Sequence, residues 1–239
     1  MMKTERLYMR KTVLFDLDDT LYPELSFVKS GYRSVAVFLT ERYQPKLKDD
    51  KRIYEELMAL FYENPKRVFN RYLEACNIPF GDREIRELVD CYRKHEPDIV
   101  LYPDALQTLF RLRDLGCDLG IISDGYHVSQ RNKLNALFNG RLNLFGRIIL
   151  TDELGRGYSK PDERSFLMVK EYFKTDWSDM VYVGDNPAKD FYIGNEHPIL
   201  TIRIKKPGTV YEGTEYLEGV REKLMISELS ELYGIIKRS

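Results

Sequence analysis

Cysteine is scarce in this 239-residue sequence: Cys76, Cys91 and Cys117 are odd in number and lack C-x-x-C spacing. Such a set argues against a disulfide framework and a structural zinc site, and it predicts a reducing compartment. Neither sign of charge dominates, with 37 basic residues against 38 acidic ones and a formal net charge of -1. No broad field therefore draws in nucleic acid or an anionic membrane, and neither is expected as a partner. No apolar run approaches the roughly 18 residues of a membrane span, and the first residues are polar and basic. A cytoplasmic protein without a signal peptide is expected. Histidine is limited to His95, His127 and His197, without ligand spacing. They read as surface or packing residues, with His127 near enough to Ser123 to touch a ligand. What is present, 43% hydrophobic and 31% charged residues, suits a soluble globular chain of one or two domains.

Periodicity divides the chain. A short apolar run, Thr12 to Phe15, reads as a buried strand. Helical spacing follows at Leu25, Val28, Tyr32, Val35 and Leu39 and returns around 53–62, 68–75 and 85–92, with breaks at Pro45, Pro65, Pro79 and Gly81. Beyond Pro103 helices are expected over 104–115, 127–138, 161–173, 187–195 and near 227–237, and strands over 117–122, 147–151, 180–183 and 199–204. Alternation of this kind predicts βαβ units: an α/β, Rossmann-like three-layer core with a mainly parallel sheet. The first strand must join that sheet. Residues 24–100 then form an all-helical domain inserted into an α/β domain of 1–23 and 101–239.

Ligands of open parallel sheets bind at the carboxyl ends of the strands. Reactive groups follow four predicted strands: Asp16 with Asp18, Ser123 with Asp124, a loop leading to Lys160, and Asp185 with Asp190. Asp16, Asp18 and Asp185 gathered together would repel unless a divalent cation sat among them, and an all-oxygen site suits Mg²⁺. A carboxylate beside such a cation and Lys160 could attack phosphorus, and a second one two residues away could carry the proton. Ser123 supplies a hydroxyl for the phosphoryl group. Asp19 reads as a turn cap. An EF-hand over Asp16–Phe27 fails, because Leu21 stands where glycine is needed and Phe27 where glutamate is needed.

The segments "DLDDT" (16–20), "IIS" (121–123), "SKP" (159–161) and "GDNPAKD" (184–190) resemble, in order, the four motifs of the haloacid dehalogenase superfamily. The resemblance covers roughly 10–23 and 100–205, and the helical insert falls where that superfamily carries its type 1 cap. It implies Asp16 as the nucleophile forming an aspartyl-phosphate and Asp18 as general acid/base. It implies Ser123, Asp124 and Lys160 at the phosphate, with Lys160 also steadying Asp16. Mg²⁺ would be held by Asp16, Asp185 and the backbone carbonyl of Asp18, with Thr20 and Asp190 in support. Dehalogenases of the superfamily lack the second aspartate of the first motif, so Asp18 favours phosphoryl transfer. The expected enzyme is a Mg²⁺-dependent phosphatase acting on a small phosphorylated metabolite, a sugar phosphate or nucleoside monophosphate, as a monomer or homodimer. A phosphosugar mutase and a catalytically idle binding module remain open as alternatives.

Overall fold

A computed structural model describes residues 10–44, 46–47, 49–155, 157–210 and 213–238; the first nine residues and the break at Pro45 lie outside them. Its centre is a six-stranded parallel sheet of order β3-β2-β1-β4-β5-β6. The strands are β1 (Thr12–Phe15), β2 (Asp118–Ser123), β3 (Arg147–Leu150), β4 (Met180–Gly184), β5 (Leu200–Ile204) and β6 (Leu224–Ile226). Strand pleating sends alternate residues of β1 to opposite faces. Val13 and Phe15 join a core with Leu109, Leu134 and Leu232, from α5 (Ala105–Asp114), α6 (His127–Phe138) and α9 (Glu231–Arg238). Leu14 joins Phe166, Val169 and Ile193 on the other face, from α7 (Arg164–Phe173) and α8 (Ile193–Glu196). Helices thus cover both faces, the three-layer arrangement expected.

Between β1 and α5 the chain forms α1 (Glu24–Arg42), α2 (Asp50–Glu63), α3 (Val68–Ala75) and α4 (Asp82–Lys94). These bury a core of their own around Val28, Tyr32, Val35, Leu57, Tyr72 and Leu88. Gly31 lets α1 approach α4 closely, since a Cβ there would stand 2.5 Å from the Tyr92 ring. Asp19 ties the turn after β1 to the start of α1, its carboxylate accepting from Glu24 N at 2.8 Å, and it also accepts from Val210 N at 2.8 Å. The return is latched to α6: Ser129 Oγ donates to Arg93 O at 2.8 Å, and Asn132 Nδ2 donates to Lys94 O and His95 O, both at 3.1 Å.

Four elements depart from expectation. The helix expected over 187–195 shrinks to α8, because the side chains of Asn186 and Asp190 capture the backbone N–H groups of Ala188 and Asn186 in a turn. The helix expected from Pro161 begins at Arg164, and the last helix begins at Glu231, whose carboxylate holds the N–H groups of Ser227 and Glu228, both at 2.9 Å. The three-residue strand β6 carries too little periodicity to be read from sequence. No helix among the described residues is long and apolar enough to cross a membrane.

Candidate active site

Each motif ends at the same rim. Asp16 continues the ladder off β1, its N–H donating to Val183 O at 2.9 Å, so the first motif lies beside the last. Ser123 ends β2 on the other side of β1, and the loop after β3 delivers Lys160. Carboxylate oxygens of Asp16, Asp185 and Asp190 come within 4.8 Å of one another. Gly184 makes room for this: a Cβ there would meet Asp190 Oδ2 at 2.5 Å.

Lys160 holds the cluster together. Its Nζ lies 2.9 Å from Asp16 Oδ1 and 2.8 Å from Asp190 Oδ1 and donates to Tyr182 Oη at 2.6 Å. Tyr182 in turn donates to Asp190 at 3.2 Å. Burial alone would strip Lys160 of its proton, but Asp16, Asp190 and Asp124 overcome it and hold the ammonium above its ordinary range. Asp16 is pushed up to about 6, burial outweighing the pull of Lys160. Asp185 lies well above the usual carboxylate range through burial and the neighbouring Asp190, Asp16 and Asp19.

Those shifts are the mark of carboxylates without enough positive charge, and oxygen donors in such a group fit Mg²⁺. Asp190 is already engaged by Lys160, Tyr182 and Asn186 N, so Asp16 and Asp185 are the side chains that could carry the ion. Arg203 of β5 steadies the second of them, donating to Asp185 O at 3.1 Å.

The carboxylate of Asp18 stands outside the acidic cluster. Lys133 Nζ lies 2.6 Å from its Oδ1, Gln130 Nε2 donates to its Oδ2 at 2.8 Å, and the Tyr22 hydroxyl donates to it as well. Burial raises its pKa, yet Lys133 with the bonds from Tyr22 and Gln130 prevails and holds it below the usual range. Gln130 also donates to Ser123 Oγ at 2.6 Å, which leaves the Ser123 O–H to serve as a donor. The side chain of Asp124, expected at the phosphate, is engaged within the protein. Its carboxylate accepts from Thr151 and Lys160 N and pairs with Lys189 at 3.2 Å, which leaves its backbone N–H as the group to face a phosphate. Thr20 is fully buried, its Oγ1 without a partner among the described residues.

Sequence reasoning missed Tyr182, Lys133, Gln130 and Lys189. It also left His127 near the ligand, whereas Nδ1 of His127 turns to Asp152 at 2.7 Å and Tyr126 lines the cavity instead. His95 is buried between Tyr92 O and Ser30, and His197 stacks on Trp177, so both are packing residues. The cavity over the rim measures about 300 Å³, with Asp16, Asp18 and Asp185 on its floor and residues of α1 and α4 above. A larger cavity of about 700 Å³ between α2 and α3 includes none of the rim residues.

The haloacid dehalogenase-like hydrolase profile matches residues 10–194, more than half of the chain. The chain belongs to the haloacid dehalogenase-like hydrolases. A glyceraldehyde 3-phosphate phosphatase from Methanopyrus kandleri is 29% identical to this hydrolase over 204 residues, covering 83% of this chain and 85% of the relative. A phosphoserine phosphatase from Thermus thermophilus is 29% identical over 212 residues, covering 75% of this chain and 82% of the relative. Among solved structures, an HAD phosphatase from Thermococcus onnurineus superposes with a TM-score of 0.60 at 25% identity, covering 95% and 97% of the two chains. Within its family this hydrolase is a phosphatase acting on phosphoric monoesters.

Proposed function

We propose that this phosphatase hydrolyses a small phosphorylated metabolite, with Mg²⁺, through an aspartyl-phosphate on Asp16. The observation that carries the reading is the buried Lys160 within 2.9 Å of Asp16, beside an acidic group that calls for one more cation. Asp16 and Asp185 would hold Mg²⁺, with the carbonyl of Asp18, and the ion would supply positive charge at the phosphoryl oxygens.

In the first step a carboxylate oxygen of Asp16 attacks phosphorus, the bond to the ester oxygen breaks, and Asp18 gives that oxygen a proton. In the second, Asp18 takes a proton from water, the water oxygen bonds to phosphorus, and the Asp16–phosphorus bond breaks. Lys160 keeps Asp16 ionised and in place, and Ser123 donates to a phosphoryl oxygen. Lys133, Gln130 and Tyr22 favour the ionised form of Asp18, which serves the second step. Residues 24–100 act as a type 1 cap over the rim, α1 and α4 forming the roof that excludes bulk water. The small cavity and the free thiols of Cys76, Cys91 and Cys117 suit a metabolite enzyme of a reducing cytoplasm.

Phosphate release from a panel of small phosphate esters, with Mg²⁺ and with EDTA, tests the reading; release that EDTA leaves unchanged would refute the metal. Retention of the phosphoryl group with bisphosphate activation would instead identify a mutase. Asp18→Asn should cost roughly 100- to 1,000-fold in kcat on alkyl phosphates and far less on the first step with p-nitrophenyl phosphate, whose leaving group needs no proton. A burst of p-nitrophenol followed by slow release is the expected trace.

Removing the metal should make stability depend on pH. Asp16 at about 6, Glu24 at about 8 and the raised Asp185 all bind protons more tightly when folded than when unfolded. The native state then carries the extra protons, so stability is greatest in acid and is lost as pH rises from about 4 to about 8. Mg²⁺ should therefore raise Tm more at the upper end of that window than at the lower. Scanning calorimetry with and without EDTA checks this, and a Mg²⁺ effect independent of pH would remove Asp16 and Asp185 from the metal site.

A further inference from the structure

The cavity has three cations on its walls, Arg93, Lys133 and Lys189, and two of them are committed. Lys133 pairs with Asp18 at 2.6 Å and Lys189 with Asp124 at 3.2 Å. Arg93, in the last turn of α4, has no carboxylate within ion-pairing distance among the described residues. Its backbone is anchored and its side chain has an aromatic neighbour. Its carbonyl accepts from Ser129 Oγ of α6, and its guanidinium lies over the Tyr126 ring, 5.1 Å from the centroid. A guanidinium held over an aromatic face by its charge keeps N–H groups available, a fork that matches a carboxylate.

The same cavity is lined by Glu24, in the first turn of α1. Its Oε2 is buried without a hydrogen-bond partner among the described residues. A buried carboxyl oxygen left unpaired costs stability, and one lining a ligand cavity is relieved when the ligand brings a donor. An ammonium is the donor that best suits a carboxylate. Neither Glu24 nor Arg93 has a part in the transfer of the phosphoryl group, which falls to the residues of the sheet rim.

We infer that the leaving group of the substrate is a zwitterion, an O-phosphorylated α-amino acid whose carboxylate binds Arg93 and whose ammonium binds Glu24. The inference rests on the phosphatase reading above for the placement of the phosphate over Asp16 and Lys160. A cavity of about 300 Å³ lies at the lower end of small-molecule sites, which suits a leaving group of a few carbons. Helices α1 and α4 thus set specificity, and a phosphate ester without charge on its leaving group leaves both residues unused.

Binding separates this inference from the chemistry. Isothermal titration of the Asp16→Asn protein with Mg²⁺ compares O-phosphoserine, 3-phosphoglycerate and glycerol 3-phosphate, free of turnover. O-phosphoserine should bind about tenfold or more tighter than glycerol 3-phosphate, with 3-phosphoglycerate between them. Adding Arg93→Gln should bring both acids to the level of glycerol 3-phosphate, and Arg93→Lys should restore part of the difference. Adding Glu24→Gln should remove the advantage of O-phosphoserine over 3-phosphoglycerate. Equal affinity for the three esters, or a preference that survives Arg93→Gln, overturns the inference. An advantage of O-phosphoserine that persists in Glu24→Gln overturns the role of Glu24 and with it the amino-acid class. Hydrolysis of p-nitrophenyl phosphate by the protein with Asp16 intact reports the phosphatase reading by itself, whichever way the binding falls.

Discussion

Asp16→Asn should abolish phosphate release while leaving the protein folded, with kcat down by about 10,000-fold or more. The asparagine amide keeps the shape of the side chain and can still face Lys160, but it offers no nucleophilic oxygen to phosphorus. Lys160 retains Asp190 at 2.8 Å and Tyr182 at 2.6 Å, so the buried ammonium stays compensated and circular dichroism should be unchanged. Rapid acid quenching with substrate labelled in the phosphate should trap labelled protein from the unsubstituted enzyme and none from the variant. Ordinary turnover in Asp16→Asn would place the nucleophile elsewhere.

Lys160→Met should damage both activity and stability, the second by about 3–5 kcal/mol, the scale of breaking a buried ion pair from one side. Asp16, Lys160 and Asp190 are 2%, 5% and 0% exposed, so water cannot take over the role of the ammonium. The sign with pH is fixed. Without Lys160, which lowers the Asp16 pKa, Asp16 becomes harder to ionise when folded, the native state binds additional protons, and the deficit grows as pH rises. Urea unfolding at about pH 5 and about pH 8 should therefore show the larger loss at the higher value. Asp190→Asn in the same chain should recover part of the stability without recovering turnover. A variant as stable as the unsubstituted protein at both pH values would mean that the acidic pair does not depend on this lysine.

Much of this architecture was legible because each strand of the sheet except β6 announces itself. Thr12–Phe15 and Met180–Gly184 are short apolar runs bounded by turn residues, and the acids that follow them stand at the rim for that reason. Asp16, Ser123, Lys160, Asp185 and Asp190 could be located by this rule alone. Tyr182 could not: inside the run "MVYVG" it reads as one more buried strand residue, and its hydroxyl matters only because Lys160 arrives from another loop. Lys133 was hidden for the opposite reason. On a helix rich in polar residues it reads as solvated, whereas Asp18 at 2.6 Å and the Phe27 ring at 4.2 Å bury it in the folded chain. Asp124 carried a turn signal and a motif position, but only the fold shows that Lys160 and Lys189 claim its charge. Pairings between distant segments are what local patterning leaves out.

The separation of the sheet rim from the helical roof bears on how such a protein can change over generations. Arg93 projects from a helix whose packing partners are other helices and α6, and it has no bond to the Lys160–Asp16–Asp190–Tyr182 network. Replacements at sites that share no partner combine with nearly independent effects. On the proposed reading, a lineage can therefore trade one diet for another through substitutions on α1 and α4 while inheriting the residues of the sheet rim untouched.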